Sequence, residues 1–156
     1  MKKALTVAVV LGVSLVGTVG VATARESASA TTYRLSAKMT PGQVVTPRNR
    51  PWRVPASLSN ARGTFAATLE GRKLAWRITY TGLENQPLVI ADIHLGKPGR
   101  FGAIVVRLCA DCKSGQRGTK RLTWRQVGLL RRDTWITLIT GKYPNGVVRG
   151  QIRTTS

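Results

Sequence analysis

Acidic side chains and histidine are scarce in this chain of 156 residues: six Asp and Glu stand against 25 Lys and Arg, and His94 is the single histidine. So few carboxylates and imidazoles leave little material for general acid–base chemistry. No nucleophile elbow, phosphate-cradling glycine loop or close-set carboxylate pair appears either. The expectation is a non-enzyme with no cofactor and no metal. Two cysteines are too few for a disulfide-dense scaffold or a cysteine-built zinc cage. Beyond residue 21 no apolar run approaches the roughly 20 residues a membrane-spanning helix needs, so no transmembrane segment is expected in the mature chain.

The apolar run that does exist stands at the start. Lys2 and Lys3 precede Ala4 to Val21, and small residues at Ala22 and Ala24 frame a cleavage site, which reads as a secretory signal over residues 1–24. A second small-x-small site lies at Ala28-Ser29-Ala30. An uncleaved anchor is the competing reading, disfavoured by Gly12, Gly17 and Gly20. No cysteine follows for lipid attachment, so the mature protein is expected to be secreted or held in the cell envelope. Removal of 24 residues leaves 132, enough for one domain. Removal of Lys2 and Lys3 lowers the formal charge from +19 to +17. Such a charge attracts polyanions or simply serves solubility.

Residues 25–31 carry no apolar period and read as a flexible lead-in, with the domain over 32–156. Tyr33, Leu35 and Ala37 alternate with polar residues as in a half-buried strand. Pro41 to Pro55, with four prolines and an Arg-flanked Trp52, is a long loop. Gly63 to Leu69 and Lys73 to Tyr80 alternate around Glu70-Gly71-Arg72 as a hairpin. Strands over Leu88–Leu95 and Ala103–Cys109 follow. Thr123 and Gln126 have capping-box spacing before Val127 and Leu130, predicting the one short helix, with Trp124 facing the core. Thr134–Thr140 and Val147–Thr154, joined by the turn-rich Gly141 to Gly146, close the chain. About seven strands in this spacing predict an all-β fold, a Greek-key sandwich or barrel.

Three candidate constellations stand out. Asp92 and His94 share one face of a strand and could supply two metal ligands or a proton relay, but further ligands are missing. A histidine whose ring nitrogens are satisfied by backbone or by Asp92 is the favoured reading. Cys109 and Cys112 form a C-x-x-C after a strand; in an exported chain this is first a disulfide, with a redox pair or half a metal site as alternatives. Lys113, Arg117, Lys120, Arg121 and Arg125 form the densest positive cluster, either an anion-binding patch or a solvated loop. With Trp124 assigned to the core, aromatic interleaving is weak and nucleic acid is not the favoured partner.

Leu74 to Leu83, Ala91 to Gly96 around Ile93-His94, and Pro144 to Ile152 with Gly146, Arg149, Gly150 and Gln151 resemble, in order and spacing, the CHRD family. That domain was first named from chordin and also occurs singly in exported bacterial proteins. The resemblance covers roughly Thr32 to Ile152. It implies a sandwich of immunoglobulin-like or superoxide-dismutase-like type and no common reaction. The chain departs from the family where Asp92 replaces the first histidine of His-x-His, where Ile139 or its neighbour stands for a later histidine, and where Val147 replaces an acid. The leading expectation is a non-enzymatic binding or cell-surface module for an acidic surface polymer or extracellular protein. A superoxide-dismutase-like redox protein centred on His94 and Asp92, and a non-specific polyanion binder, are the alternatives.

Overall fold

The computed structural model describes residues 31–86 and 88–156. The expected signal segment and residues 25–30 of the lead-in lie outside the described residues. Every second residue of the first strand, β1 (Thr32–Met39), is buried from Leu35 onward, and the same alternation runs through β2 (Arg62–Glu70) and β3 (Lys73–Thr81). Leu35, Phe65, Leu69, Trp76 and Ile78 therefore form one apolar face. Gly71, at φ +53°, lets Glu70 pair with Lys73 across a two-residue turn.

The chain then crosses to a second sheet with β4 (Val89–Leu95) and β5 (Ile104–Cys109), and returns to the first as β6 (Arg117–Arg121). Helix α1 (Trp124–Leu130) follows, then β7 (Thr134–Thr140) and β8 (Tyr143–Gln151) in the second sheet and β9 (Arg153–Thr155) in the first. The strand orders are β6-β3-β2-β1-β9 and β5-β4-β7-β8, with all pairs antiparallel. Consecutive strands β3 and β4 sit in different sheets and pair with β6 and β7, a Greek-key interlock. The result is an open two-sheet sandwich, which removes the barrel alternative. Ile93, Ile136, Leu138 and Val148 meet the first sheet's apolar face in one core.

Several expectations need correction. The described residues hold nine strands rather than about seven. β6 gave no alternation because its inward positions are Gly118, where a Cβ would run into the Trp76 ring, and Lys120, an exposed base opposite Leu74 on the sheet edge. The connection from Gly141 to Gly146 is largely strand. Pro144 is tolerated because β8 is an edge strand, and Gly146, at φ +97°, sits where the β7–β8 register shifts. Residues Arg153 to Thr155 leave β8 for the other sheet. The capping box of α1 is present, and Val127 and Leu130 are buried. Trp124, however, is 67% exposed; the core place it was assigned is taken by Leu122, just before the cap. Two short 3-10 turns, Pro41–Gln43 and Ala56–Leu58, punctuate the proline-rich loop.

Candidate functional site

The outer face of the four-stranded sheet carries two rows of polar side chains. Register places Arg107 of β5, Asp92 of β4, Thr137 of β7 and Arg149 of β8 in one row, and Ile104, His94, Trp135 and Gln151 in the next. An outer sheet face is ordinarily wet. Here it is roofed by the loops around residues 41–52 and 96–102, so Asp92, His94, Trp135, Thr137 and Arg149 are all buried.

Asp92 is 0% exposed and accepts two hydrogen bonds from Arg107, from Nε at 2.9 Å and from Nη2 at 3.0 Å. This bidentate fork is the geometry that neutralises a buried carboxylate. The His94 ring stacks on Trp135 at 4.1 Å between centroids, with 9° between the planes. Its Nδ1 lies 2.9 Å from the Gly102 carbonyl, which fixes that nitrogen as the protonated one in the neutral ring. Burial pushes the His94 pKa below its ordinary value, against the opposing pull of the Gly102 hydrogen bond and the Asp92 charge. Nε2 has no partner. The expectation that both ring nitrogens would be satisfied is therefore only half met, because Asp92 is turned to Arg107. Among the described residues no three His, Cys, Asp or Glu side chains come together as a metal group.

Arg149 lies with its guanidinium carbon 3.7 Å from the centre of the Trp135 ring. Its Nη2 donates to the carbonyls of Arg100, at 2.7 Å, and Lys97, at 3.3 Å. Gly150, the next residue, faces inward, where a Cβ would strike the Lys38 carbonyl and the Met39 side chain. The Arg-Gly-Gln ending thus has a physical reading: glycine lets β1 close on β8, while Arg149 and Gln151 project into the roofed outer face. Cys109 and Cys112 are disulfide-bonded. The Cys112 N–H donates to Val89 and the Cys112 carbonyl accepts from the Tyr80 hydroxyl, so the small loop is fixed to both sheets.

The outer face of the five-stranded sheet is different: exposed and basic. One row runs Thr155, Arg34, Thr68, Ala75 and Thr119; its neighbour runs Arg153, Ser36, Ala66, Arg77 and Arg117. Lys38, Lys73 and Arg121 extend the face, and Glu70 is the acid among these rows. Small side chains in the middle leave a shallow trough of about 850 Å³ bordered by Arg34, Arg77 and Arg117. At one end lies a second hollow of about 500 Å³, lined by Glu70, Arg72, Lys73, Lys120, Arg121 and the exposed Trp124. Arg72 lies 5.7 Å over the Trp124 ring.

The predicted basic cluster is therefore divided. Arg117 and Arg121 belong to the sheet face, Lys120 lines the end hollow, Arg125 is on α1, and Lys113 is paired with Asp111 at 3.0 Å. The stretch is an edge strand, not a loop, from Arg117 onward. Sequence reasoning missed Arg34, Lys38, Lys73, Arg77 and Arg153, which join the face only through strand pairing; in β1 and β3 their signal is a base at an outward position of an alternating strand. Trp52, the Arg-flanked aromatic of the proline-rich loop, is half-buried with its indole nitrogen covered.

Together these features define an interlocked antiparallel β-sandwich with one roofed polar face and one open basic face. The chain belongs to the CHRD domain family, whose model matches residues 35–152. No curated protein and no solved structure matches it.

Proposed function

We propose that this CHRD domain is an exported, non-enzymatic binding module that engages an acidic cell-surface polymer through the outer face of its five-stranded sheet. The observation that carries this reading is the placement of Arg34, Lys38, Lys73, Arg77, Arg117, Arg121 and Arg153 on one face about 19 Å across, with small side chains between them. Charges spread over an open five-stranded surface match an extended polyanion better than a compact ligand. Trp124 adds a ring surface at the end of the face, suited to stacking on a sugar or a base. The expected export favours a surface polymer over nucleic acid, and the buried polar row supports a scaffold role. Both carboxylate oxygens of Asp92 are engaged by Arg107, which weakens the superoxide-dismutase-like alternative.

The test is positional. Arg77, Arg117 and Arg121, all on the face, are replaced together by Gln, and Arg48, Arg50 and Arg53 of the proline-rich loop serve as an equal charge change elsewhere. Affinity for a polyuronate and its salt dependence should fall for the first triple and change little for the second. Each lost contact lowers the log–log salt slope by about 0.7 on a single-stranded polyanion, so three contacts lower it by about 2. Equal losses from the two triples would reduce the reading to non-specific attraction. Tighter binding of single-stranded DNA than of polyuronate would replace the proposed partner.

A further inference from the structure

Beneath the roof of the four-stranded sheet is a cavity of about 310 Å³, lined by Gly42, Gln43, Val44, Val45, Pro51, Pro98, Gly99, Arg149 and Gln151. Arg149 is 2% exposed. Two carbonyls and the face of Trp135 hold its guanidinium, but none of these brings a negative charge. The ion pairs among the described residues are Arg107 with Asp92 and Lys113 with Asp111, so no carboxylate of the described fold pairs with Arg149. Its Nη1 is buried without a partner among the described residues. Two positions along β8, Gln151 donates through Nε2 to the Gly96 carbonyl at 3.0 Å, which leaves its buried Oε1 without a donor.

We propose that this cavity binds a small carboxylate bearing a neighbouring hydroxyl or ammonium group, with the carboxylate at Arg149 and the donor at Gln151. A guanidinium removed from water without a counter-charge is costly, and a carboxylate is the planar acceptor that fits it. Burial already pushes the Arg149 pKa down to about 10, the direction that a missing anion produces. The other orphan is an acceptor, and so requires a donor in the same ligand. Residues two apart on a strand lie about 7 Å apart along the backbone, a span that long side chains narrow to the size of a 2-hydroxy or 2-amino acid. Val44, Val45, Pro51 and Pro98 supply apolar wall for a short aliphatic part. The volume sits at the small end of ligand sites, which start at roughly 300 Å³.

The experiment is calorimetric titration of the purified chain with sodium lactate, alanine, acetate and inorganic phosphate at constant ionic strength. Lactate and alanine separate a hydroxyl from an ammonium donor. One of them should bind saturably at one site per chain, and acetate, which lacks the donor to Gln151, up to about tenfold more weakly. Arg149→Met should abolish binding. If that variant fails to fold, Gly42→Leu decides: Gly42 lines the cavity, has no positive φ, and a Cβ there meets no atom within 4 Å. It should keep the melting temperature and lose the ligand. Absence of saturable binding by either acid, binding unchanged in Gly42→Leu, or preference for phosphate would each overturn the proposal. Triple Gln variants of the basic face should leave this binding intact, so the two sites fail or stand separately.

Discussion

Gly150→Ala is the substitution whose cost can be worked most directly from the structure. The added methyl would project into the sandwich where β1 ends against β8, within contact-forbidding range of the Lys38 carbonyl and 3.1 Å from Met39 Cγ. The first of these is backbone and cannot rotate away. Two hydrogen bonds flank the point, Thr40 N–H to the Arg149 carbonyl at 2.9 Å and Arg149 N–H to the Thr40 carbonyl at 3.1 Å. Overpacking a close-packed site costs about 1–3 kcal/mol, and weakening two backbone hydrogen bonds adds about 1 kcal/mol. The expected loss is about 3 kcal/mol, or roughly 10 °C in Tm for a domain of this size. Gly63→Ala is the internal comparison, because its Cβ would meet mainly the terminal methyl of Met39, which can swing aside. It should cost about 1 kcal/mol. Urea unfolding of the two variants measures both values. A Gly150→Ala protein within about 0.5 kcal/mol of the parent, or one more stable than Gly63→Ala, would refute the account of the Arg-Gly-Gln ending as a backbone-clearance device.

Three further outcomes are expected. Cys109→Ala should cost about 2 kcal/mol and keep the fold, since the bridge closes a very short loop; intact mass without reduction should show two hydrogens fewer than the dithiol. His94 is held neutral by burial, so its folded pKa lies below the unfolded value of about 6.5, and the unfolded chain takes up the proton first. Stability should therefore be full above about pH 6.5 and decline as pH falls below it; His94→Gln should flatten that part of the urea-midpoint profile, and an unchanged profile would show that His94 is not its source. Trp124→Ala should leave Tm unchanged, because the ring is solvent-facing, and weaken polymer binding at least about fivefold if it stacks on the ligand.

How much of this was legible in the sequence depends on whether a residue announced itself by alternation or by contact with something distant in the chain. The hairpin of β2 and β3 was readable because each strand buries one complete face, and the helix because its cap is a local hydrogen-bond pattern. β6 was unreadable because neither inner residue is apolar: a glycine beneath Trp76 and a lysine opposite Leu74 erase the signal that marks a strand. Trp124 was misplaced for a related reason, since helical spacing from Val127 and Leu130 includes it, yet at the first helical position it lies past the edge of the core.

The same distinction separates the two candidate sites. Asp92, His94, Arg149 and Gln151 could be singled out from short motifs, but their chemistry could not, because Arg107, Trp135 and the 96–102 loop that define it come from other strands. Asp92, which stands where the resembled family has the first histidine of His-x-His, suggested with His94 two metal ligands or a proton relay whose further members are missing. The structure gives that position a different employment: Asp92 anchors β5 through Arg107 and supplies negative charge beside His94, while Arg149 keeps a positive charge at the far end of the row without a carboxylate partner among the described residues. The basic face follows the opposite logic. Its bases are scattered over four strands, and of them Arg117 and Arg121 alone fall in the basic stretch that the sequence singled out, so net charge left polyanion attraction and mere solubility open while sheet register gathers the charge on one surface. Lys73 pairs with Arg121 and Arg77 with Arg117, so charges that look independent on the hairpin and on the later basic stretch belong to one face. A charge-removal experiment designed on sequence clusters alone would have compared that face with itself.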